Sequence, residues 1–388
     1  MNKSASIYYA ACLSSLSFSA FTTASVLEST DVGFSGYLKA DAIVSDYSDG
    51  TLGSGNVGRD FYIPGLTPVG GVKENAQFDA HIRQSRFRFT TNTALSSGDK
   101  LVGVLEFDFQ TTPDGNERVS NSYEPRIRHA YIQYNNWLIG QTWSTFQDVK
   151  ALPETLDFIG ATDGTIFGRQ TMVRYSNKGF AIALENPEST ITPFGGGARI
   201  VSDDSTVPDL AASYTMKQDW GYVQVSGLLR ELSYVDQQNG ADIDTSTASY
   251  GISLTGKVML GQDDIRFMLN SGKGLGRYIG LNTVNGAVLD SNNKLQTIDV
   301  TGIAVAYRHL WNEQWRSNLT YSALDADNDV SLTGVNTTQK TSSVRLNLLY
   351  SPTKELTFGG EYSKATRELE SGADGDMDRL QFSAMYSF

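Results

Sequence analysis

Cysteine is all but missing from the 388 residues: Cys12 is the only one. It lies inside the N-terminal leader described below, so a mature chain has no disulfide, thiolate metal site or cysteine nucleophile. Histidine is nearly as scarce, at positions 81, 129 and 309. A hydrolytic site needs a base beside a nucleophile. His129 follows an Arg-x-Arg strand pattern and is expected to face outward, His309 sits at a turn, and His81 begins a strand without a clear Ser or Asp partner. Neither an enzyme nor a metal centre is expected, and no cofactor is implied. Cationic residues are outnumbered, 31 Lys and Arg against 43 Asp and Glu, for a net charge of −12. That balance argues against nucleic acid as a partner. Beyond residue 25 no apolar run is long enough to cross a bilayer as a helix, so a membrane protein of this sequence has to be a barrel.

Residues 1–25 read as a secretory signal peptide. Lys3 supplies the positive charge, Ala5–Phe21 the apolar Ser-rich run, and Thr22–Ser25 the small residues around a cleavage near Ala24 or Ser25. Tyr9–Cys12 offers a lipoprotein-type cleavage site as an alternative, but the apolar run before it is short. Residues 26–388 are then expected to form a single domain.

What the chain does have is glycine (37), tyrosine (19) and phenylalanine (18), set in segments of period two. The clearest is the last. Leu380, Phe382, Ala384, Tyr386 and Phe388 alternate with Arg379, Gln381 and Ser383. An intact amphipathic strand at a chain terminus invites aggregation as a sandwich edge, but has a partner if it closes a barrel on the first strand. Sixteen such segments follow one another, near 33–44, 80–92, 100–110, 124–134, 137–144, 168–176, 179–185, 208–216, 220–232, 247–260, 265–272, 296–308, 315–324, 340–351, 355–366 and 377–388. Tight polar turns such as Ser96–Asp99 and Ser351–Lys354 alternate with long connections such as Ser45–Asp79 and Gly274–Leu295. The pattern predicts an all-β fold: a transmembrane antiparallel barrel of about 16 strands, with short periplasmic turns and long external loops. Its place is the outer membrane of a Gram-negative bacterium, in contact with outer-membrane lipid and lipopolysaccharide.

Strand parity then sorts the faces. Phe87 and Phe89 toward lipid send Arg86 and Arg88 inward, and Val344, Leu346 and Leu348 do the same for Arg345. By this rule Lys39, Arg126, Arg128, Arg174, Arg230, Lys257, Arg266, Arg308, Arg316 and Arg379 also line the lumen. The strand acids are fewer: Asp41, Glu106, Asp108, Glu185 and Glu361. The lumen is therefore basic although the chain is acidic, its surplus carboxylates lying in the external loops. Odd strands run outward, which places Lys39, Arg86, Arg88, Arg126, Arg128 and Arg345 on one stretch of wall at middle or upper height. Arg266, Arg308 and Arg316 fall low, near the periplasmic rim. The third long connection, Thr145–Phe167, is too apolar at Leu152–Ile159 to wave in water. It is expected to fold into the barrel, with Asp148, Glu154, Asp157 and Asp163 facing the basic wall and imposing a field across the pore. Packing against a neighbouring subunit is the alternative.

Several blocks carry a resemblance: residues 81–90, Ser120–Tyr131, Gly140–Phe146, Ala151–Phe158 and Ala183–Glu188. Over roughly residues 33–190 the chain resembles the DcaP-like outer-membrane porins. The resemblance implies a homotrimeric porin admitting small anionic solutes, dicarboxylates among them, through an Arg-lined constriction. By position, Arg83, Arg86, Arg126, Arg128 and Arg169 match the family's basic positions, and Ala151–Phe158 its third loop. Many members carry an N-terminal coiled coil before the barrel; residues 26–32 are too few for one, so subunits are expected to associate through barrel walls. The expected function is passive diffusion of small hydrophilic solutes. A non-selective general porin, or an adhesin or receptor barrel using loop tips such as Phe194–Gly197, remains the alternative.

Overall fold

The computed structural model describes residues 30–111, 120, 122–237 and 242–388. The expected signal peptide, residues 1–25, lies outside the described residues. Period-two alternation produces the long strands: β1 (Thr30–Tyr47), β2 in two pieces (Gln77–His81 and Arg86–Ala94), β3 (Lys100–Asp108), β4 (Arg126–Tyr134), β5 (Trp137–Trp143), β6 (Arg169–Asn177), β7 (Phe180–Glu185) and β8 (Asp209–Gln218). They continue as β9 (Gly221–Asp236), β10 (Ile243–Leu260), β11 (Asp263–Lys273), β12 (Asp299–Leu310), β13 (Trp315–Asp327), β14 (Thr338–Tyr350), β15 (Leu356–Leu369) and β16 (Asp374–Ser387). Each pairs antiparallel with its neighbours. Both pieces of β2 pair with β1, so they count as one strand interrupted at residues 82–85. Closure comes from β16, whose Met377–Ser387 pairs with Tyr37–Tyr47 of β1. The sixteen-stranded barrel expected from the sequence is the one observed.

Its polarity is inside out. On β14, Val344, Leu346 and Leu348 are exposed on the outer wall while Ser343, Arg345 and Asn347 are buried within. Strands that present one face to hydrocarbon and the other to a polar interior need this alternation. Tight turns close the periplasmic end. Between β6 and β7, Lys178 and Gly179 both have positive φ (47° and 88°), as the two-residue primed turn requires. Trp137, Trp220, Trp311 and Trp315 sit exposed beside these turns, and Trp315 stacks on Tyr350 with ring centroids 4.5 Å apart. Amphipathic rings at that level anchor a barrel at the membrane interface. Trp143 alone among the tryptophans points to other partners, described below.

The interior is largely filled from the external side. Loop 4 (residues 186–208) and loop 6 (residues 274–298) each contribute two short strands to a separate four-stranded sheet: Ser189–Thr192, Ile200–Ser202, Ala287–Leu289 and Leu295–Thr297. Ile191, Leu232, Ala287, Leu289 and Leu295 form its dry underside. A larger apolar cluster, including Phe146, Leu228, Leu275, Tyr278, Ile279 and Leu324, joins loops 3 and 6 to the β8–β13 wall. Loop 1 (residues 48–76) packs Leu52 and Tyr62 against Tyr47, Ala365 and Met377 on β1, β15 and β16. Nothing in strand periodicity reports these loop contacts.

Candidate functional site

Loop 3 (residues 144–168) leaves β5 and runs inside the barrel, held by the wall at every few residues. At its start, Glu185 accepts the Ser144 hydroxyl and the Thr145 amide, both at 2.7 Å. Asp148 caps the short 3-10 turn Val149–Ala151 and takes the hydroxyls of Tyr222 (2.9 Å) and Thr255 (2.8 Å) from β9 and β10. Arg266 donates to the Leu152 carbonyl, and Arg316 Nε lies 2.8 Å from Glu154 Oε2. Farther on, Glu361 of β15 accepts the amides of Leu156 (2.9 Å) and Asp157 (3.3 Å). Asp157 lies between Arg345 (3.9 Å) and Arg379 (3.7 Å) and accepts the Tyr62 amide at 2.8 Å. Asp163 takes the Tyr62 hydroxyl at 2.7 Å and the Ser343 hydroxyl. Burial holds the Asp163 carboxyl above the usual carboxylate range, partly countered by Ser343, Tyr62 and Arg345. At Gly164 the loop backbone lies directly on the wall: a Cβ there would sit 2.3 Å from the Ile303 carbonyl oxygen.

This corrects the expected transverse field. The loop folds inward as anticipated, yet Asp148, Glu154, Asp157 and Asp163 are its anchors and do not face the arginines across open water. A buried carboxylate is costly unless paired or hydrogen-bonded, and the wall supplies those partners.

The basic cluster is built around two carboxylates of β3. Arg128 donates Nε to Glu106 and Nη1 to Asp108, both at 2.9 Å. Arg126 reaches Asp108 at 2.9 Å, Arg88 reaches Glu106 at 3.2 Å, and Arg86 lies 3.6 Å from Glu106 and 3.9 Å from Asp108. Among the described residues four guanidinium groups thus share two carboxylates, a local surplus of two positive charges. Arg128 is 2% exposed and stiffens the cluster, while Arg88, Arg126 and Arg86 keep 36%, 22% and 21% of their side-chain surface. Arg83 is close by, 3.3 Å from Asp60 and over the Tyr123 ring at 4.3 Å.

Arg169 adds a further charge of a different kind. Among the described residues no carboxylate lies within ion-pair distance of it, and its Nη1 is buried without a hydrogen-bond partner. Its guanidinium rests 4.6 Å from the centroid of Trp143, a ring it shares with Arg128 at 5.5 Å. Loop 3 presents Phe158 to the same group, 5.4 Å from Arg128 and 5.8 Å from Arg126. Phe158 packs in turn on Phe61 (5.2 Å) and Phe167 (6.4 Å). The loop surface next to the arginines is aromatic, not acidic.

Of the residues expected to line an anion path, Arg83, Arg86, Arg88, Arg126, Arg128 and Arg169 come together. Lys39 and Arg345 do not join them, a second correction. Both are covered by inward-packed loops: Lys39 pairs with Asp41 (3.1 Å) and donates to the Leu156 carbonyl of loop 3 (2.6 Å), and Arg345 is buried between Tyr62 of loop 1 (4.8 Å) and Asp157 of loop 3 (3.9 Å). Arg174, farther down β6, donates to the Trp143 carbonyl at 3.3 Å. His129 also departs from expectation. In the β3–β4 register Glu106 faces His129 and Phe107 faces Ile127, so Arg128 is the extra residue of a β-bulge. The bulge turns both Arg128 and His129 inward, and His129 Nδ1 lies 3.0 Å from Thr142 Oγ1. Trp143, Phe158 and Phe61 were not anticipated as part of the site. Two of them lie in the sequence blocks quoted above, but aromatic residues in a barrel read first as lipid-facing. Among the described residues no cluster of three His, Asp or Glu side chains is placed to hold a metal.

The sequence model of the DcaP outer membrane protein family matches residues 22–388. No curated protein sequence matches. Among solved structures, the outer membrane channel DcaP of Acinetobacter baumannii superposes with a TM-score of 0.75 at 22% identity, over 93% of this chain and 98% of that one. The anion-selective porin from Comamonas acidovorans gives 0.58 at 11% identity, over 92% and 100%. OmpT of Vibrio cholerae in its trimer form gives 0.53 at 12% identity, over 93% and 100%.

Proposed function

Because the chain belongs to the DcaP outer membrane protein family, and is an integral β-barrel of the Gram-negative outer membrane, we propose that it is a passive diffusion channel preferring small anions, carboxylates and dicarboxylates among them. The observation that supports this reading is the surplus of guanidinium charge on the β2–β4 wall among the described residues, extended by Arg169, which has no ion-pair partner among them. Guanidinium groups hold carboxylates in a fork and stay charged at any physiological pH. Glu106 and Asp108 fix the donors in place while neutralising only part of their charge, so an anion meets a preset charge instead of mobile side chains. The acids of loop 3 are engaged by the wall, and among the described residues the carboxylates of the basic cluster are Glu106 and Asp108, each held by more than one arginine. That favours anion selectivity over a non-selective general porin. Phe158 and Trp143 bound the path with low-dielectric surface, which strengthens each charge.

The same proposal takes residues 26–388 as one domain released from a signal peptide and working as a homotrimer embedded in lipopolysaccharide. Phe34, Phe87, Phe89, Phe107 and Phe388 cluster on the outer wall at β1–β3 with centroids 5.1 to 6.5 Å apart, a surface suited to packing against further copies. The test is the reversal potential of the folded protein in a planar bilayer under a potassium chloride gradient. Anion selectivity, with competition by succinate, is the expected result. Cation selectivity would defeat the reading, and folded protein without conductance would move it to an adhesin or receptor barrel.

A further inference from the structure

A second basic patch lies on another part of the wall, near the periplasmic ends of β10–β13. Lys257 on β10 stands directly opposite Arg266 on β11 in the strand register. Alternation along both strands turns them inward: Thr255 and Asp264 on the same parities are buried, while Leu254 and Leu269 face lipid. Asp264 lies 2.8 Å from Arg266 Nε and 2.9 Å from Arg308 Nε, so one carboxylate serves two guanidinium groups. Arg316 completes the patch through Glu154 of loop 3. Asp148 of loop 3, held by Thr255 and by Tyr222 opposite Lys257, borders the patch as well, so among the described residues four cations stand against three carboxylates. Lys257 has no ion pair or hydrogen bond among the described residues, and its ammonium is not among the buried polar atoms left without partners.

Like charges directly opposite on one face of a sheet destabilise it. Lys257, part-exposed on the lumenal side and without an ion pair among the described residues, offers its charge to a mobile anion. We infer that Lys257, Arg266, Arg308 and Arg316 form a second anion station at the periplasmic exit, taking the small carboxylates or inorganic anions that have passed the first. The two stations are separated by loop 3, whose Leu152 and Glu154 are gripped from below by Arg266 and Arg316. An anion leaving the arginine–aromatic constriction meets a second positive field before bulk water, which lowers the barrier to exit and allows one anion to displace the next. This rests on the reading of the lumen as an anion path.

The test is single-channel recording of Lys257→Gln and of Lys257→Gln with Arg308→Gln in symmetrical potassium chloride at low and high concentration. Lys257→Gln breaks no ion pair, and Asp264 keeps Arg266 in the double variant, so both should fold; heat-modifiable migration checks that. At 0.1 M salt, chloride conductance should fall two- to threefold and the current–voltage curve should change its rectification, with anion-selective reversal retained. At 1 M the difference should vanish through screening, and Lys257→Arg should behave as native. If conductance and rectification are native in both variants while Arg169→Ala shifts the reversal potential, the second station is refuted and the first stands. If neither set of variants moves any reading, both are refuted.

Discussion

Arg169→Ala is the cleanest perturbation of the constriction, because no carboxylate among the described residues depends on this side chain. A unit charge about 4 Å from a solute carboxylate contributes roughly 1 kcal/mol at the dielectric of water and roughly 4 kcal/mol at an effective value of about 20. The guanidinium is partly buried against Trp143 and Phe167, with Nη1 covered, but the side chain is not fully enclosed, so about 1–2 kcal/mol is the appropriate range. At about 1.4 kcal/mol per factor of ten, anion occupancy should fall roughly 5- to 30-fold. The reversal potential of the purified variant under a potassium chloride gradient should move toward zero at about 0.1 M salt. The shift should shrink at about 1 M, where the screening length is about 3 Å. Arg169→Lys retains the charge and forfeits only the better stacking on the indole, worth about 0.5–1 kcal/mol, so it should recover most of the selectivity. Arg128→Ala is a poorer probe. It removes the buried guanidinium that bridges Glu106 and Asp108, and although Arg86, Arg88 and Arg126 still pair with them, loss of charge is then mixed with rearrangement of the cluster. If Arg169→Ala folds normally and keeps native selectivity at low salt, the assignment of unneutralised guanidinium charge as the source of anion preference is wrong.

Gly164→Ala should displace loop 3, since its Cβ would meet the carbonyl oxygens of Ile303 and Ala323 at 2.3 and 2.4 Å; larger and noisier single-channel currents are expected, and a native conductance would show that the loop does not narrow the path. Glu361→Gln keeps an acceptor but removes the charge that assists the Leu156 and Asp157 amides, and should weaken loop docking by about 1.5–3 kcal/mol, read as increased proteolytic cleavage within residues 150–160 of detergent-solubilised barrel. Docking should also depend on pH. The docked Asp163 carboxyl titrates above its undocked value, so docking takes up a proton: its stability is fully present below the ordinary carboxyl range and declines as pH rises through the docked value. Open-channel noise should therefore increase as pH is raised from below the ordinary carboxyl range, with Arg345 and Tyr62 the facing groups, and Asp163→Asn should abolish the dependence.

The sequence by itself determined the barrel. Alternation of period two is a local property, carried by each strand without knowledge of its partners, so strand number, the inward face of Arg86, Arg88 and Arg126, and the closing role of the last strand were all legible. The apolar run in loop 3 was legible too, because an exposed segment of that composition has no favourable place in water. Which charges neutralise which was not. Glu361 meets Leu156 across 205 positions of chain, and Asp163 meets Ser343 across 180. Such pairings follow from closure of the barrel and leave no periodic trace. The bulge at Arg128 is equally silent, since one inserted residue reverses the facing of His129 without altering the hydrophobic pattern on either side. The pairing of loops 4 and 6 into a sheet likewise depends on Ile191 and Ala287, 96 positions apart, meeting over the barrel mouth. Local chemistry thus set which residues face the lumen, and only tertiary closure decided which of those cations remain unneutralised and free to meet a solute.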